Sequence, residues 1–130
     1  MAFRAILDEA HIHPAIRDAI ATRHADIVRE VGKAVAENDV VVVGMAQNPH
    51  VKRARRTLDR AGITYRYLEY GSYFSSWRRR NALKMWTGWP TFPMVFVRGA
   101  LVGGASDVER LVRAGELAPL RPHRDCAGAP

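Results

Sequence analysis

Apolar residues recur at helical spacing over the first third of the chain. Pro14 suits the first turn of a helix, where its missing N–H removes no hydrogen bond. Five apolar positions then fit one stripe with a period of 3.6 residues: Ile16, Ile20, Ile27, Val31 and Val35. The pattern predicts one long helix over residues 13–37, ended by Asn38 and Asp39.

Two strands joined by a helix are predicted next. The β-branched run at residues 40–43 is typical of a buried strand. Asn48 and Pro49 predict the start of a helix, because Asn caps helix N-termini and Pro fits just inside them. That helix ends at Ala61-Gly62, and residues 63–68 predict the second strand. A helical crossover between two strands favours parallel pairing.

The remaining pattern predicts a basic helix, a hairpin and a last helix. The basic helix covers residues 75–86, and the hairpin pairs residues 94–97 with 100–102 around Arg98-Gly99. Ser106 followed by Glu109 has the spacing of a capping box, with Ser106 as the cap of the last helix. From about residue 117 the chain is rich in Pro, Gly and Arg and is predicted to be loose.

This order of elements predicts an α/β fold. We expect a four-stranded mixed sheet, with the first two strands parallel, the hairpin at an antiparallel edge and helices on both faces. A length of 130 residues fits one domain. The predicted organisation is an N-terminal helical extension (1–38), the α/β domain (39–117) and a flexible tail (118–130).

Charge and cysteine content narrow the chemistry. The net charge of +7 favours anionic partners. The single cysteine, Cys126, excludes an internal disulfide and a Cys-x-x-Cys site, and leaves too few soft ligands for a Cys/His metal cluster. No stretch approaches the roughly 20 apolar residues of a membrane helix. Acids at the N-terminus interrupt any signal core. We therefore expect a cytoplasmic protein that makes no membrane contact and binds no metal.

One stretch carries a family resemblance. The segment Trp89-Pro90-Thr91-Phe92-Pro93 precedes the hairpin, the Gly103-Gly104 pair and the last helix. Over residues 40–117 this arrangement resembles glutaredoxins of the thioredoxin superfamily, closest to the monothiol class. The resemblance implies a thioredoxin-like fold with a cis bond before Pro93. It also implies that Thr91, Phe92 and Pro93 form a ledge whose backbone binds glutathione or an extended protein segment.

The resemblance also places the family's active-site motif after the first strand. Glutaredoxins have Cys-Pro-Tyr-Cys or Cys-Gly-Phe-Ser there, and this chain has Asn48-Pro49-His50-Val51. Asn48 then stands at the nucleophilic cysteine, Val51 at the second motif position, and Met45 at an upstream lysine. A cysteine thiolate is stabilised by a helix N-terminus, whereas Asn offers no nucleophile and is a good cap. The resemblance therefore implies a degenerate site without a catalytic residue.

The glutathione groove of the family is partly matched. Arg80 and Lys84 have the spacing of a basic pair that faces the glycine carboxylate, although Arg78 and Arg79 leave a generally solvated basic helix as the alternative. Backbone donors are expected near Gly104, Ala105 and Ser106, with the family's Asp lost or shifted to Asp107. These departures predict weak glutathione binding. No iron–sulfur cluster is expected, because the monothiol class ligates iron through the missing cysteine.

Three functions follow from these observations. The first is a redox-inactive module that binds glutathione or a protein segment in redox homeostasis. The second is a glutathione-dependent thiol–disulfide oxidoreductase in which bound glutathione supplies the thiol. The third is a basic adaptor for nucleic acid or an acidic protein, using the arginine-rich helix over residues 49–60. The missing cysteine favours the first.

Overall fold

The computed structural model describes residues 4–71 and 77–120. Within them the α-helices are α1 (Pro14–Thr22), α2 (Ala25–Glu37), α3 (Pro49–Arg60), α4 (Trp77–Thr87) and α5 (Ala105–Arg113). The strands are β1 (Val40–Gly44), β2 (Arg66–Glu69), β3 (Met94–Val97) and β4 (Ala100–Gly103). Short 3₁₀ turns cover Glu9–His11 and Ala118–Leu120.

The four strands form one mixed sheet in the order β2-β1-β3-β4. β1 pairs with β2 in parallel and with β3 in antiparallel orientation, and β3 pairs with β4 as the hairpin. Arg98 and Gly99 both have positive φ, which suits the right-handed twist of a tight hairpin. The predicted mixed sheet is therefore confirmed, with β1 in its interior.

Helices cover both faces of the sheet, as predicted. Each face has its own core, because successive side chains of β1 point to opposite sides. One core joins α2 and α4 to the sheet through residues that include Ile27, Val31, Val41, Val43, Leu83 and Phe96. The other joins α3 and α5 through residues that include Val40, Val42, Leu58, Val95 and Val108.

The prediction of one helix over residues 13–37 is wrong, because two helices meet at His24. This residue has a left-handed backbone, with φ of 52°, and separates α1 from α2. Periodicity alone does not reveal such a break, since Ile27 keeps the phase of the earlier stripe. The two halves of that stripe differ in burial: Ile16 and Ile20 are 52% and 51% exposed, whereas Ile27 is fully buried. The helix that packs on the sheet is α2. The domain boundary at residue 38, between the N-terminal extension and the α/β domain, stays a prediction.

Two boundaries also differ from expectation. β2 begins at Arg66 rather than at residue 63, although Ile63 is buried before the strand. α5 begins at Ala105, with Gly104 rather than Ser106 as its cap. The reason is local: the Asp107 carboxylate accepts a hydrogen bond from the Gly104 N–H, so the helix begins two residues before the position that a Ser106 cap would give.

The prediction that the chain is loose from about residue 117 is wrong for residues 117–120. Leu117 is buried against the α3–α5 core, and residues 118–120 form a 3₁₀ turn. The rest of the predicted tail, residues 121–130 with Cys126, lies outside the described residues, as do the first two residues of the predicted basic helix. Among the described residues, no helix has the length and hydropathy needed to span a membrane.

The contrast between α1 and α2 gives a stability prediction. Ile27→Ala should lower the free energy of unfolding by about 2–5 kcal/mol, because it leaves a cavity in a closed core. Ile20→Ala is the matched control and should cost about 1 kcal/mol or less, since half of its side chain is already exposed. Urea unfolding followed by circular dichroism measures both. Equal losses would contradict the assignment of α2, rather than α1, to the core.

Candidate functional site

Strand ends bring three segments of the chain to one edge of the sheet. β1 ends at Gly44 beside its parallel partner Glu69, the last residue of β2. β3 begins at Met94 opposite Val43, and β4 returns to end at Gly103. We call this the site edge, and it collects the loops of residues 45–48 and 91–93 and the start of α5 at residues 104–107. The sequence-predicted site residues of all three segments therefore lie at one edge of the sheet.

Asn48 caps α3 at the site edge. Its Oδ1 accepts hydrogen bonds from the backbone N–H of His50 at 2.8 Å and of Val51 at 3.2 Å. Asn48 is buried, and Pro49 follows at the first helical position. The amide oxygen thus occupies donors that would otherwise stabilise an anion at this helix N-terminus.

Val51 has a packing role. It is buried in the α2–α4 core and lies against the end of β1. A Cβ at position 44 would lie 2.7 Å from Val51 Cγ1, closer than side-chain carbons approach, so only glycine fits there. Gly44 and Val51 therefore hold the start of α3 tightly against the strand.

The ledge at residues 91–93 contains a cis bond between Phe92 and Pro93. Thr91 is exposed, whereas the Phe92 ring is buried in the α2–α4 core. The Lys84 ammonium lies 5.7 Å from the centroid of that ring, within the range of a cation–π contact. Lys84 thus brings a positive charge from α4 to the ledge.

Arg80 lies one turn earlier on α4 and is buried. Its Nη1 donates to the Tyr70 carbonyl at 3.1 Å, just after the end of β2. Desolvation by burial lowers the pKa of this guanidinium from its ordinary value. The described contact of Arg80 is therefore with the backbone after β2, while that of Lys84 is with the ledge.

The start of α5 completes the site edge. The Gly104 N–H donates to Asp107 Oδ2 at 2.9 Å, and Asp107 Oδ1 accepts from Arg110 Nη2 at 2.9 Å. The N–H groups of Ala105 and Ser106 belong to the first turn, which has no intrahelical acceptor for them. A Cβ at Gly104 would lie 3.5 Å from the Pro93 carbonyl oxygen, so α5 begins directly beside the ledge.

Two features of the site edge were missed by the sequence reasoning. Arg53 of α3 donates from Nη2 to Ser106 Oγ at 2.8 Å, and its Nε lies 3.3 Å from Glu109 Oε2. The indole N–H of Trp89 is buried beside Gly104 and has no hydrogen-bond partner in the described part of the chain. Neither has a signal in the sequence, because Arg53 and Ser106, like Trp89 and Gly104, are separated along the chain and come together only in the fold.

The other arginines of α3 lie away from the site edge. The Arg55 guanidinium stacks on Tyr67 at 3.9 Å from the ring centroid, and its Nε donates to the Tyr65 hydroxyl at 3.3 Å. The Tyr65 hydrogen bond raises the pKa of Arg55. Burial, together with the Glu69 carboxylate, raises the pKa of Tyr67. These contacts anchor part of the basic helix to the β2 segment, while Lys52 and Arg56 are exposed.

Residues 4–71 and 77–120 contain no cluster of three His, Cys, Asp or Glu side chains placed to hold a metal.

The fold and site edge define a class of protein with a cis-proline ledge beside two helix N-termini on a four-stranded mixed sheet. The family model described as Glutaredoxin matches residues 40–102. A "Glutaredoxin-like protein" of Dictyostelium discoideum is 47% identical over 102 residues, covering 78% of this chain and 83% of that protein. The chain belongs to the glutaredoxin family, within the thioredoxin superfamily.

Solved structures agree with this assignment. The crystal structure of the oxidised glutaredoxin 2 of Chlamydomonas reinhardtii has a TM-score of 0.63 at 29% identity, covering 75% of this chain and 92% of that one. The crystal structure of a buckwheat glutaredoxin–glutathione complex has a TM-score of 0.63 at 25% identity, covering 75% and 88%. The expected thioredoxin-like fold is therefore confirmed.

The Asn48 cap gives a second stability prediction. Asn48→Ala should lower the free energy of unfolding by about 1 kcal/mol, because two N–H groups lose their acceptor. Asn48→Asp is the control and should retain the stability at neutral pH, since a carboxylate accepts the same bonds and favours the helix N-terminus. Chemical denaturation measures both variants. An alanine variant as stable as the parent would contradict the capping role.

Proposed function

We propose that this protein is a glutaredoxin-like binding module without a redox thiol of its own at the site edge. It binds glutathione, or an extended protein segment, and serves redox homeostasis by binding rather than by turnover. The observation that carries the proposal is the Asn48 cap: a neutral amide accepts the hydrogen bonds of the α3 N-terminus.

The chemistry of thiol exchange supports this proposal. Exchange proceeds by attack of a thiolate on a disulfide, and glutaredoxins in general place that thiolate at the helix N-terminus that Asn48 caps here. An amide is not a nucleophile of this kind. Cys126 is the only thiol of the chain and follows α5 by more than ten residues. Asn48 and Val51 are therefore assigned a structural role.

The ligand contacts follow from the geometry of the site edge. The backbone of Phe92 on the ledge pairs with the extended ligand. Lys84 attracts the carboxylate at one end, and the buried charge of Arg80 adds positive potential on the same side of α4. At the other end, the free N–H groups of Ala105 and Ser106 receive the γ-glutamyl carboxylate.

Two departures weaken binding of glutathione. Both carboxylate oxygens of Asp107 already accept hydrogen bonds, from Gly104 and Arg110, and so compete poorly for the ligand ammonium. Met45 is buried at the position that the family resemblance gives to a lysine, and so supplies no charge. Weak binding suits a protein that senses or carries a ligand present at high concentration.

The first test of the proposal is catalytic. The protein should show no turnover above background in the reduction of a glutathione–peptide mixed disulfide, because it presents no thiolate at position 48. Cys126→Ser is the control and should give the same background rate. Turnover that survives this substitution would instead favour an oxidoreductase that uses the thiol of bound glutathione.

The second test is binding. Reduced glutathione at millimolar concentration should shift the amide signals of residues 91–93 and 104–107 in NMR spectra. Lys84→Ala should raise the dissociation constant for glutathione by about three- to tenfold, because the ligand carboxylate loses a positive charge. The effect is modest, since a partly exposed charge contributes less to binding than a buried one. Lys33→Ala, an exposed lysine of α2, is the control and should change nothing. The absence of shifts at these loops would contradict the proposed ligand.

A further inference from the structure

Helix α1 has no buried residue, although it carries an apolar stripe. At nine residues it is shorter than the roughly 12–15 residues that an isolated helix needs for marginal stability in water. Ile16 and Ile20 lie one turn apart on its surface, and about half of each side chain is exposed. A short helix with an open apolar stripe is typical of an element that packs against a partner.

A groove of about 980 Å³ lies between α1, the turn at His24, α2 and α4. Its apolar lining includes Ile20, Ala21, Val28, Ala82, Met85 and Trp86. Met85 is 76% exposed, and Trp86 is 42% exposed with its ring 6.3 Å from that of Phe96 in the sheet. The groove therefore presents large apolar side chains from two opposing helices, α1 and α4. Of these side chains, Trp86 of α4 lies against Phe96 of the sheet.

The charge around the groove is positive. Arg23 lines it, and the carboxylate in its lining is that of Glu9. Glu9 lies 3.9 Å from Arg17, so its charge is already opposed, and the nearby Asp26 pairs with Arg79 at 3.1 Å. The chain as a whole carries a net charge of +7. A partner with acidic residues beside its apolar contacts matches this field, whereas a second copy of this chain brings like charge.

We propose that the groove between α1 and α4 binds the apolar side of an acidic amphipathic helix of a partner protein. α1 spans about 13 Å, which accommodates two turns of such a helix and apolar anchors at positions i, i+3 or i+4, and i+7. The anchors insert between Ile20 and Met85 and extend along the stripe to Ile16. Acidic residues on the rim of the helix face Arg23. This site is separate from the site edge.

The test uses a fluorescein-labelled peptide of about 14 residues, four helical turns, with leucines at helical spacing and glutamates elsewhere. It should bind the full chain and shift the amide signals of residues 20–28 and 78–86. A peptide with lysines in place of the glutamates should bind about tenfold more weakly or not at all, and so should one with scrambled leucine spacing.

Variants of the chain locate the site. Met85→Glu should weaken binding of the acidic peptide by about tenfold or more, because it places a carboxylate among the anchors, and Ile20→Glu should do the same. Leu7→Glu is the matched control: Leu7 is 67% exposed and lies outside the groove lining. All three positions are at least half exposed, so the fold should tolerate the change.

The outcomes separate the occupants. Equal peptide affinities for Met85→Glu and Leu7→Glu, or equal binding of the lysine peptide, would overturn the proposal. A concentration-dependent dimer of the parent chain that Met85→Glu abolishes would assign the groove to a second copy and would also overturn it. Because Lys84 of the site edge also lies on α4, the deciding shifts are those of residues 20–28, which belong to α1 and α2 and are independent of any glutathione effect at Lys84 or residues 91–107.

Discussion

Burial of β1 on both faces of the sheet is the constraint on which the rest of the structure depends. All five residues, Val40–Gly44, are buried, and the strand pairs on both edges. Its alternating side chains create the two cores, which fix α2 and α4 on one face and α3 and α5 on the other. Its carboxyl end sets the position of Asn48 and, through pairing with β3, that of the ledge. The site edge is therefore a consequence of where one strand stops.

The chain divides its positive charge between structure and recognition. Arg53 ties α3 to α5 through Ser106 and Glu109, and Arg55 stacks on Tyr67. Arg80 is buried against the carbonyl of Tyr70. Lys84, by contrast, faces the ledge, and Arg23 faces the groove beside α1. Several of the arginines that contribute to the high net charge therefore hold elements of the fold together. The net charge overstates the positive charge that is available to a ligand.

Sequence reasoning succeeded where a pattern is local and dense. The valine run of β1, the Asn48-Pro49 helix start and the Arg98-Gly99 turn each carry their signal within a few residues, and together they predicted the parallel first pair and the hairpin, whereas the order β2-β1-β3-β4 was not predicted. It failed at His24, because one left-handed residue breaks a helix without breaking the apolar period. It misplaced the cap of α5, since Ser106 and Asp107 both suit a helix start. It missed the Arg53–Ser106 link, which exists only once two distant helices meet.

The amide at the start of α3 has a thermodynamic consequence. A thiol at a helix N-terminus changes charge with pH and changes again on oxidation, so the stability of its domain is linked to both. Asn48 has no proton to lose near neutral pH and no oxidation state to exchange, yet it satisfies the same N–H groups. The first turn of α3 therefore contributes a constant free energy of folding, whatever the redox poise of the surroundings. At this position the stability of the fold is therefore independent of redox chemistry.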